Sequence, residues 1–410
     1  MPLNSLRKKI TTLNTYLLIS LFFFIPFSVS IGTVVSLSIL AGWLFIADFK
    51  NDFKELKSNR VLIACWLFIA LHIIGLLWTE DMDWGIYTLR KEWRIFIIPI
   101  FMLYARKEYI HYYISAFILS MSISEFIVYG IWFELIPPFL HASVENPLPF
   151  IGHITYNPFL TVSIYLLANS LLFSNNLSSL KKVFYLIFLT TMTINMFITG
   201  GRSGQVMFFF AIFVLSFQYF QGQRIKGVLI SLCFIISIFT IAYSSSDIFH
   251  QRMNMAVHAA TNYENNKMTS TGQRITFTLN SLDIFYEHPL TGVGTGDFLN
   301  EYAKMNNKNT PSVVTTDNPH NMYTLEMVQF GLLGLISILW IFYSQISHAL
   351  KNPDKFLARL GVTLPLLYFI LCFGESYLLG HGTSLLFAIF SSFIYKNYPS
   401  KIPPPKPHCH

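Results

Sequence analysis

A chain of 410 residues that is 53% hydrophobic and only 12% charged is neither an ordinary soluble globular protein nor a disordered one, because it carries too much apolar side chain for its charge. It reads as an all-α integral membrane protein, since a helix satisfies its own backbone in lipid. The net charge of +7 calls for no nucleic-acid partner, because most of it records membrane orientation.

In chain order, about twelve apolar runs approach the length that crosses hydrocarbon as a helix. They fall near residues 13–29, 31–47, 61–78, 94–105, 112–131, 158–174, 183–199, 205–220, 228–244, 322–343, 359–373 and 384–395. The first has no small-residue cleavage site and leads directly into the second, so it reads as a retained helix rather than a signal peptide. Basic residues beside the runs orient the bundle with both termini in the cytoplasm, where Arg7, Lys8, Lys9, Lys181, Lys182, Lys351 and Lys396 then lie. Arg90, Lys91, Arg94, Arg202, Arg252, Lys267, Arg274, Lys304 and Lys308 fall on the outer face against that rule, and each needs another reason. The organisation expected is an N-terminal block of nine membrane helices over 1–243, one large, partly helical outer loop over 244–320, three C-terminal helices over 321–396, and a Pro-rich disordered cytoplasmic tail over 397–410. Cys65, Cys233, Cys372 and Cys409 give no disulfide framework, and His408, Cys409 and His410 are too short a cluster to argue a metal site.

Three outer segments hold the polar residues that topology leaves unexplained. Glu80 to Arg94 contains Asp81-Met82-Asp83, an acid-x-acid pattern that suits either a metal–diphosphate site or the capping of an interfacial helix, and the cap is preferred. In that helix Arg90, Lys91 and Arg94 would meet phosphates. Gly200-Gly201-Arg202-Ser203-Gly204 is a very short turn, whose glycines would let backbone approach a ligand or take positive φ. An arginine there either snorkels to lipid phosphates or reaches toward an anion. Arg274 on the same face favours the anion, because two guanidinium forks match a pyrophosphate. It would open an amphipathic helix with Ile275, Leu279, Leu282 and Phe285 on one face, ended by Glu287-His288-Pro289. Gly292-Val293-Gly294-Thr295-Gly296 follows and reads as a tight turn rather than a phosphate loop, because no Lys-Ser/Thr comes after it. His320 stands at the start of the next apolar helix, with Asp317 or Asn318 available to cap it, Pro319 in the first turn and Asn321 beside the imidazole. A histidine so placed is either a hydrogen-bonded structural residue or a base at working pH. Glu125, Glu326 and Glu375 are the ionisable residues expected at membrane depth, where such groups are candidates for function.

These pieces, in this order, resemble the O-antigen ligase family and, more broadly, the O-antigen ligase and polymerase superfamily of bacterial envelope proteins. The resemblance is carried by Thr199-Gly200-Gly201-Arg202-Ser203-Gly204, by Arg274 with Phe285-Tyr286-Glu287-His288-Pro289-Leu290-Thr291-Gly292-Val293-Gly294, and by Pro319-His320-Asn321-Met322-Tyr323 followed by Glu326 and Gly331-Leu332-Leu333-Gly334-Leu335. It implies a GT-C-like, metal-independent glycosyltransferase of the bacterial inner membrane, with no cofactor and an active site facing the periplasm. The donor implied is a polysaccharide on undecaprenyl pyrophosphate, and the acceptor is the lipid A core. The essential positions carried over are Arg202, Arg274 and His320 as catalytic residues; Arg202 and Arg274 also bind substrate. Asn321, Arg90, Lys91 and Arg94 are the further substrate-binding expectations. A polymerase using the same donor is the nearest rival. A flippase or other transporter fits less well, because no Gly- or Pro-broken helices in matched positions are evident.

Overall fold

A computed structural model describes residues 3–398, and among them the chain is helical throughout, with no strand. The expected tail over 397–410, with its His408, Cys409 and His410, lies outside the described residues except for Asn397 and Tyr398. Eight helices form the N-terminal part: α1 Leu3–Phe24, α2 Val29–Ile46, α3 Phe49–Leu56, α4 Arg60–Gly75, α5 Met82–Lys91, α6 Trp93–Phe96, α7 Ile98–Tyr104 and α8 Ile110–Trp132. The next four are α9 His153–Phe173, α10 Ser179–Ile198, α11 Arg202–Tyr219 and α12 Arg224–Ser245. Polar connections then carry α13 Asp247–Thr261, α14 Ser270–Glu287 and α15 Phe298–Asn309, before α16 Met322–Ala349, α17 Lys355–Leu371 and α18 His381–Ile394 complete the bundle.

Seven of these segments are long and apolar enough to cross a membrane: Val29–Ile46, Arg60–Trp78, Lys107–Trp132, His153–Phe173, Ser179–Ile198, Arg224–Ser245 and Met322–Ala349. The other expected runs are helical too, with physical reasons for falling short. Trp93–Tyr104 and His381–Ile394 are apolar but brief. α17 has 17 residues, α11 opens on Arg202 and Gln205, and α1 carries Arg7, Lys8 and Lys9.

One apolar core runs through the bundle, and a smaller one joins the 244–320 insertion to α16. In the latter, Phe277 and Ile284 of α14 and Phe298, Tyr302 and Met305 of α15 pack with Leu325 and Val328 of α16. The face of α14 turned inward is Gly272, Thr276, Phe277, Asn280, Ser281 and Ile284, so the expected stripe of Ile275, Leu279, Leu282 and Phe285 is not the packed one. Small and polar residues take that face because Asn280 bonds Thr310 (2.8 Å) and Asn306 (3.2 Å) there, while Leu279 stays 48% exposed.

α16 is a broken helix, a feature its apolar run conceals. Gly331 sits at φ 60° and ψ −143°, and the segment after α14 seats itself in the break. Leu332 donates its N–H to the Pro289 carbonyl (2.8 Å), while Val293 and Gly294 donate to the carbonyls of Val328 and Gln329 (both 3.0 Å). Backbone groups freed by the kink are thereby satisfied inside the protein, as an apolar surrounding requires. The glycine run is explained by this docking: Gly292 has φ 65°, and a Cβ on it would lie 2.3 Å from the Gln329 carbonyl carbon. The turn is tight, as expected, and what its backbone approaches is the protein's own helix.

Candidate functional site

Arg202 owes its position to the packing of α11 on α9. A Cβ on Gly204 would lie 2.3 Å from the Asn157 Cβ, and one on Gly201 would lie 2.7 Å from the His153 carbonyl oxygen. Thr199 donates to Asn157 Oδ1 (2.7 Å), Asn157 donates to the Gly201 carbonyl (3.3 Å), and Thr161 donates to that of Gly204 (3.1 Å). These glycines therefore make room for a neighbouring helix rather than a ligand, and Gly201 has a negative φ of −86°. Small residues let the two helices approach closely, as is common in apolar bundles. Arg202, the first residue of α11, projects toward the start of α14, where it donates to Thr271 Oγ1 (2.7 Å) and Ser270 Oγ (2.9 Å).

α14 begins at Ser270, capped by Thr269, so Arg274 stands at the end of its first turn rather than at its start. Phe277, one residue short of a turn further on, stacks with the His320 imidazole at a ring separation of 5.9 Å. His320 is not in a helix. It occupies the left-handed region at φ 54°, a conformation that histidine visits more readily than most residues and that commonly marks a functional constraint. The cap of α16 is Asn321, whose Oδ1 accepts from the N–H groups of Tyr323 (3.0 Å) and Thr324 (3.3 Å). Asn318, one of the residues expected to cap, instead shapes the chain before the helix: its Oδ1 accepts from the His320 N–H (3.0 Å) and from Ser376 Oγ (2.7 Å).

This twist directs the imidazole at Glu375, between α17 and α18. His320 Nδ1 lies 2.5 Å from Glu375 Oε2, and Asn318 Nδ2 donates to the other carboxylate oxygen (2.7 Å). Glu375 is 12% exposed and His320 33%. Burial pushes the Glu375 carboxyl up, but the His320 hydrogen bond and charge, the Ser376 amide and Arg274 outweigh it and hold the group below its ordinary value. In the neutral ring, a hydrogen on Nδ1 donated to the carboxylate leaves the lone pair on Nε2 and fixes the ring's orientation, an arrangement suited to accepting a proton.

The cations around this pair greatly outnumber the acids. Arg274 Nη2 is 3.9 Å from Glu375 Oε2, at the limit of an ion pair, while the hydrogen-bond partners of Arg202 are neutral hydroxyls. Arg274 and Arg252 are the charged neighbours of Arg202, and all three act on His153 at the start of α9. The Arg252 guanidinium also lies 3.6 Å from where a Gly200 Cβ would be. Three guanidinium groups thus gather within interaction range of His153, and the carboxylate nearest Arg274 is already engaged by an imidazole, which leaves a cradle suited to a doubly charged anion.

The structure brings Arg202, Arg274 and His320 near one another, Arg274 and His320 through Glu375 and Arg202 as a charged neighbour of Arg274. Asn321 adjoins it with its side-chain oxygen committed to the cap. The other expected binding residues lie on α5 and α6. Asp81 caps α5 by accepting from Trp84 (3.0 Å), Arg90 is exposed, and Lys91 lies 4.3 Å over the Tyr87 ring. Arg94 turns inward, 3% exposed, so the three basic residues do not form one surface row. Glu326 is buried beside His72 (3.5 Å), which meets Glu92 at 2.7 Å; Glu125 accepts from Thr191 (3.1 Å). Pairing of Glu375 with His320, and the approach of Arg252, escaped the sequence reading. Glu375, expected at membrane depth, lies instead between α17 and α18, and nothing local ties it to a histidine 55 residues earlier.

The family model for O-antigen ligase matches residues 187–339, a span that contains Arg202, Arg252, Arg274 and His320. A protein of Haemophilus influenzae (strain ATCC 51907 / DSM 11121 / KW20 / Rd), described as uncharacterized, is 24% identical over 407 residues, covering 93% of this chain and 97% of its own length.

Proposed function

We propose that this chain, whose residues 187–339 match the family model for O-antigen ligase, is an O-antigen ligase, a glycosyltransferase that moves polysaccharide from undecaprenyl pyrophosphate to the lipid A core. In this reading it is a multi-pass protein of the bacterial inner membrane, with about twelve spans, a GT-C-like bundle and its site on the periplasmic face. The observation that carries the reading is the His320–Glu375 contact of 2.5 Å beside Arg202 and Arg274, a base next to a diphosphate-sized cation cradle.

Arg202 and Arg274, with Arg252 beside them, hold the pyrophosphate and stabilise the charge that grows on it as it leaves. An acceptor hydroxyl attacks the anomeric carbon in line. The new C–O bond forms as the bond to phosphate breaks, the electron pair stays on the departing diphosphate, and the hydroxyl proton passes to His320 Nε2. Glu375 keeps the imidazole oriented and stabilises its protonated form. The product is inverted at the anomeric carbon, and no metal is required because guanidinium groups supply the positive charge.

The envelope of a deletion strain tests the assignment. Loss of long-chain lipopolysaccharide together with accumulation of polymerised, lipid-linked O antigen is the ligase result. Unpolymerised single repeats on the lipid carrier would instead identify a polymerase.

A further inference from the structure

Arg94 poses a problem that the diphosphate cradle does not solve. Its guanidinium is 3% exposed, and Nε and Nη1 are buried without any hydrogen-bond partner. Its Nη2 lies 2.8 Å from His381 Nδ1, and the group rests over the Trp93 ring at 4.8 Å. An imidazole nitrogen that accepts a hydrogen bond carries no negative charge, yet a desolvated guanidinium is ordinarily matched by an anion. The adjacent Glu92 is turned to His72 at 2.7 Å, and no ion pair to Arg94 occurs among the described residues.

Two independent features make the same place electropositive. His381 is the first residue of α18, a 14-residue helix whose N-cap Gly380 supplies no side-chain hydrogen bond, so no capping side chain covers the positive end of that helix beside Arg94. The charges of both Arg94 and Lys91 act on His381. The location is also on the catalytic side of the bundle: α18 follows Glu375 directly in the chain, and a Cβ on Gly382 would lie 2.5 Å from Thr155, beside the His153 on which the cradle arginines act.

We propose that Lys91, Arg94, His381 and the N-terminus of α18 form an anion subsite for a phosphate monoester on the acceptor lipid, separate from the diphosphate cradle of Arg202 and Arg274. The word acceptor rests on the ligase reading; the anion specificity does not. Arg94 is the buried anchor of the subsite, and His381 and Lys91 form its mouth.

The test is a binding measurement without donor, so that no turnover is needed. Full-length protein in phosphatidylcholine nanodiscs is titrated with lipid A, with enzymatically dephosphorylated lipid A, and with inorganic phosphate. Wild type is expected to prefer the phosphorylated lipid by at least about ten-fold. Arg94→Gln and the double variant Lys91→Gln/His381→Gln are expected to lose that preference, while Lys308→Gln, an equal charge change on α15, keeps it. The double variant alters surface groups, which keeps the test decisive if Arg94→Gln fails to fold. Equal affinity for the two lipid forms, or a preference that survives the double variant, overturns the subsite. Binding of inorganic phosphate but of neither lipid overturns the lipid assignment. A protein that shows the preference yet transfers no glycan keeps the subsite and loses the ligase reading; one that transfers glycan without the preference loses only the subsite.

Discussion

Glu375 shows how a single residue changes the chemistry of its neighbour. A lone imidazole at a helix entrance would rotate and exchange tautomers, whereas a carboxylate at 2.5 Å from Nδ1 fixes both. Glu375→Gln is therefore expected to lower kcat by about ten- to a hundred-fold, less than loss of the base itself, whose contribution is typically 10²–10⁴. Glu375→Asp should recover part of it, and rates with both substrates saturating distinguish the cases. The carboxyl also links stability to pH. Its folded pKa lies below the ordinary value, so its stabilisation is complete above about pH 4.3, the usual unfolded value, and is lost as pH falls through the folded one. Melting in detergent from neutral pH downward should show wild type losing its advantage over Glu375→Gln in that acid window and not above it. For the arginines, shape outweighs charge: Arg202→Lys and Arg274→Lys retain the cation but not the fork, and each is expected to lose at least ten-fold in kcat/KM.

Among the elements, the break in α16 positions the site. Its first half runs from Asn321 to Phe330, and the 289–296 segment closes its end, tying α14 to the helix that follows His320. Gly292→Ala would place a Cβ 2.3 Å from backbone at φ 65°, and left-handed backbone alone costs an alanine about 1–2 kcal/mol. Gly331→Ala meets the Leu290 carbonyl carbon at 2.5 Å and φ 60°. Both should lower the melting temperature clearly more than Gly222→Ala, whose Cβ meets nothing within 4 Å although its φ is also positive. Asn321→Ala removes a cap worth about 1 kcal/mol. The apolar helices were legible from their runs, and α14 from the helical spacing of Ile275, Leu279, Leu282 and Phe285, but the break was not, because Gly331 lies in a run apolar enough to read as one span. The buried face of α14 was missed for a related reason: it is small and polar, and its partners Asn306 and Thr310 lie beyond an intervening loop.

On the scale of the whole molecule, the residues that the expected orientation leaves on the outer face include those that gather at the candidate site. Arg202, Arg252 and Arg274 come from three separate elements and gather near His153 at the start of α9. The carboxylate that pairs with His320 comes from the connection between α17 and α18 and left no trace in spacing. The basic residues flanking the apolar runs give an expected sidedness, and cysteine labelling tests it. In a background lacking the four native cysteines, Lys308→Cys should react with an impermeant maleimide in intact spheroplasts, and Lys181→Cys only after the membrane is opened. The reverse pattern would place His320 in the cytoplasm and remove the periplasmic reaction.

The most direct test of the account is the transfer reaction itself, with purified protein in liposomes, polymerised O antigen on undecaprenyl pyrophosphate and lipid A core as the sole acceptor. Wild type should form glycan joined to lipid A core, and His320→Ala, with its helix content and melting unchanged, should be slower by about 10²–10⁴. A His320→Ala protein that joins donor to acceptor at near the wild-type rate would contradict the base assignment on which the mechanism stands.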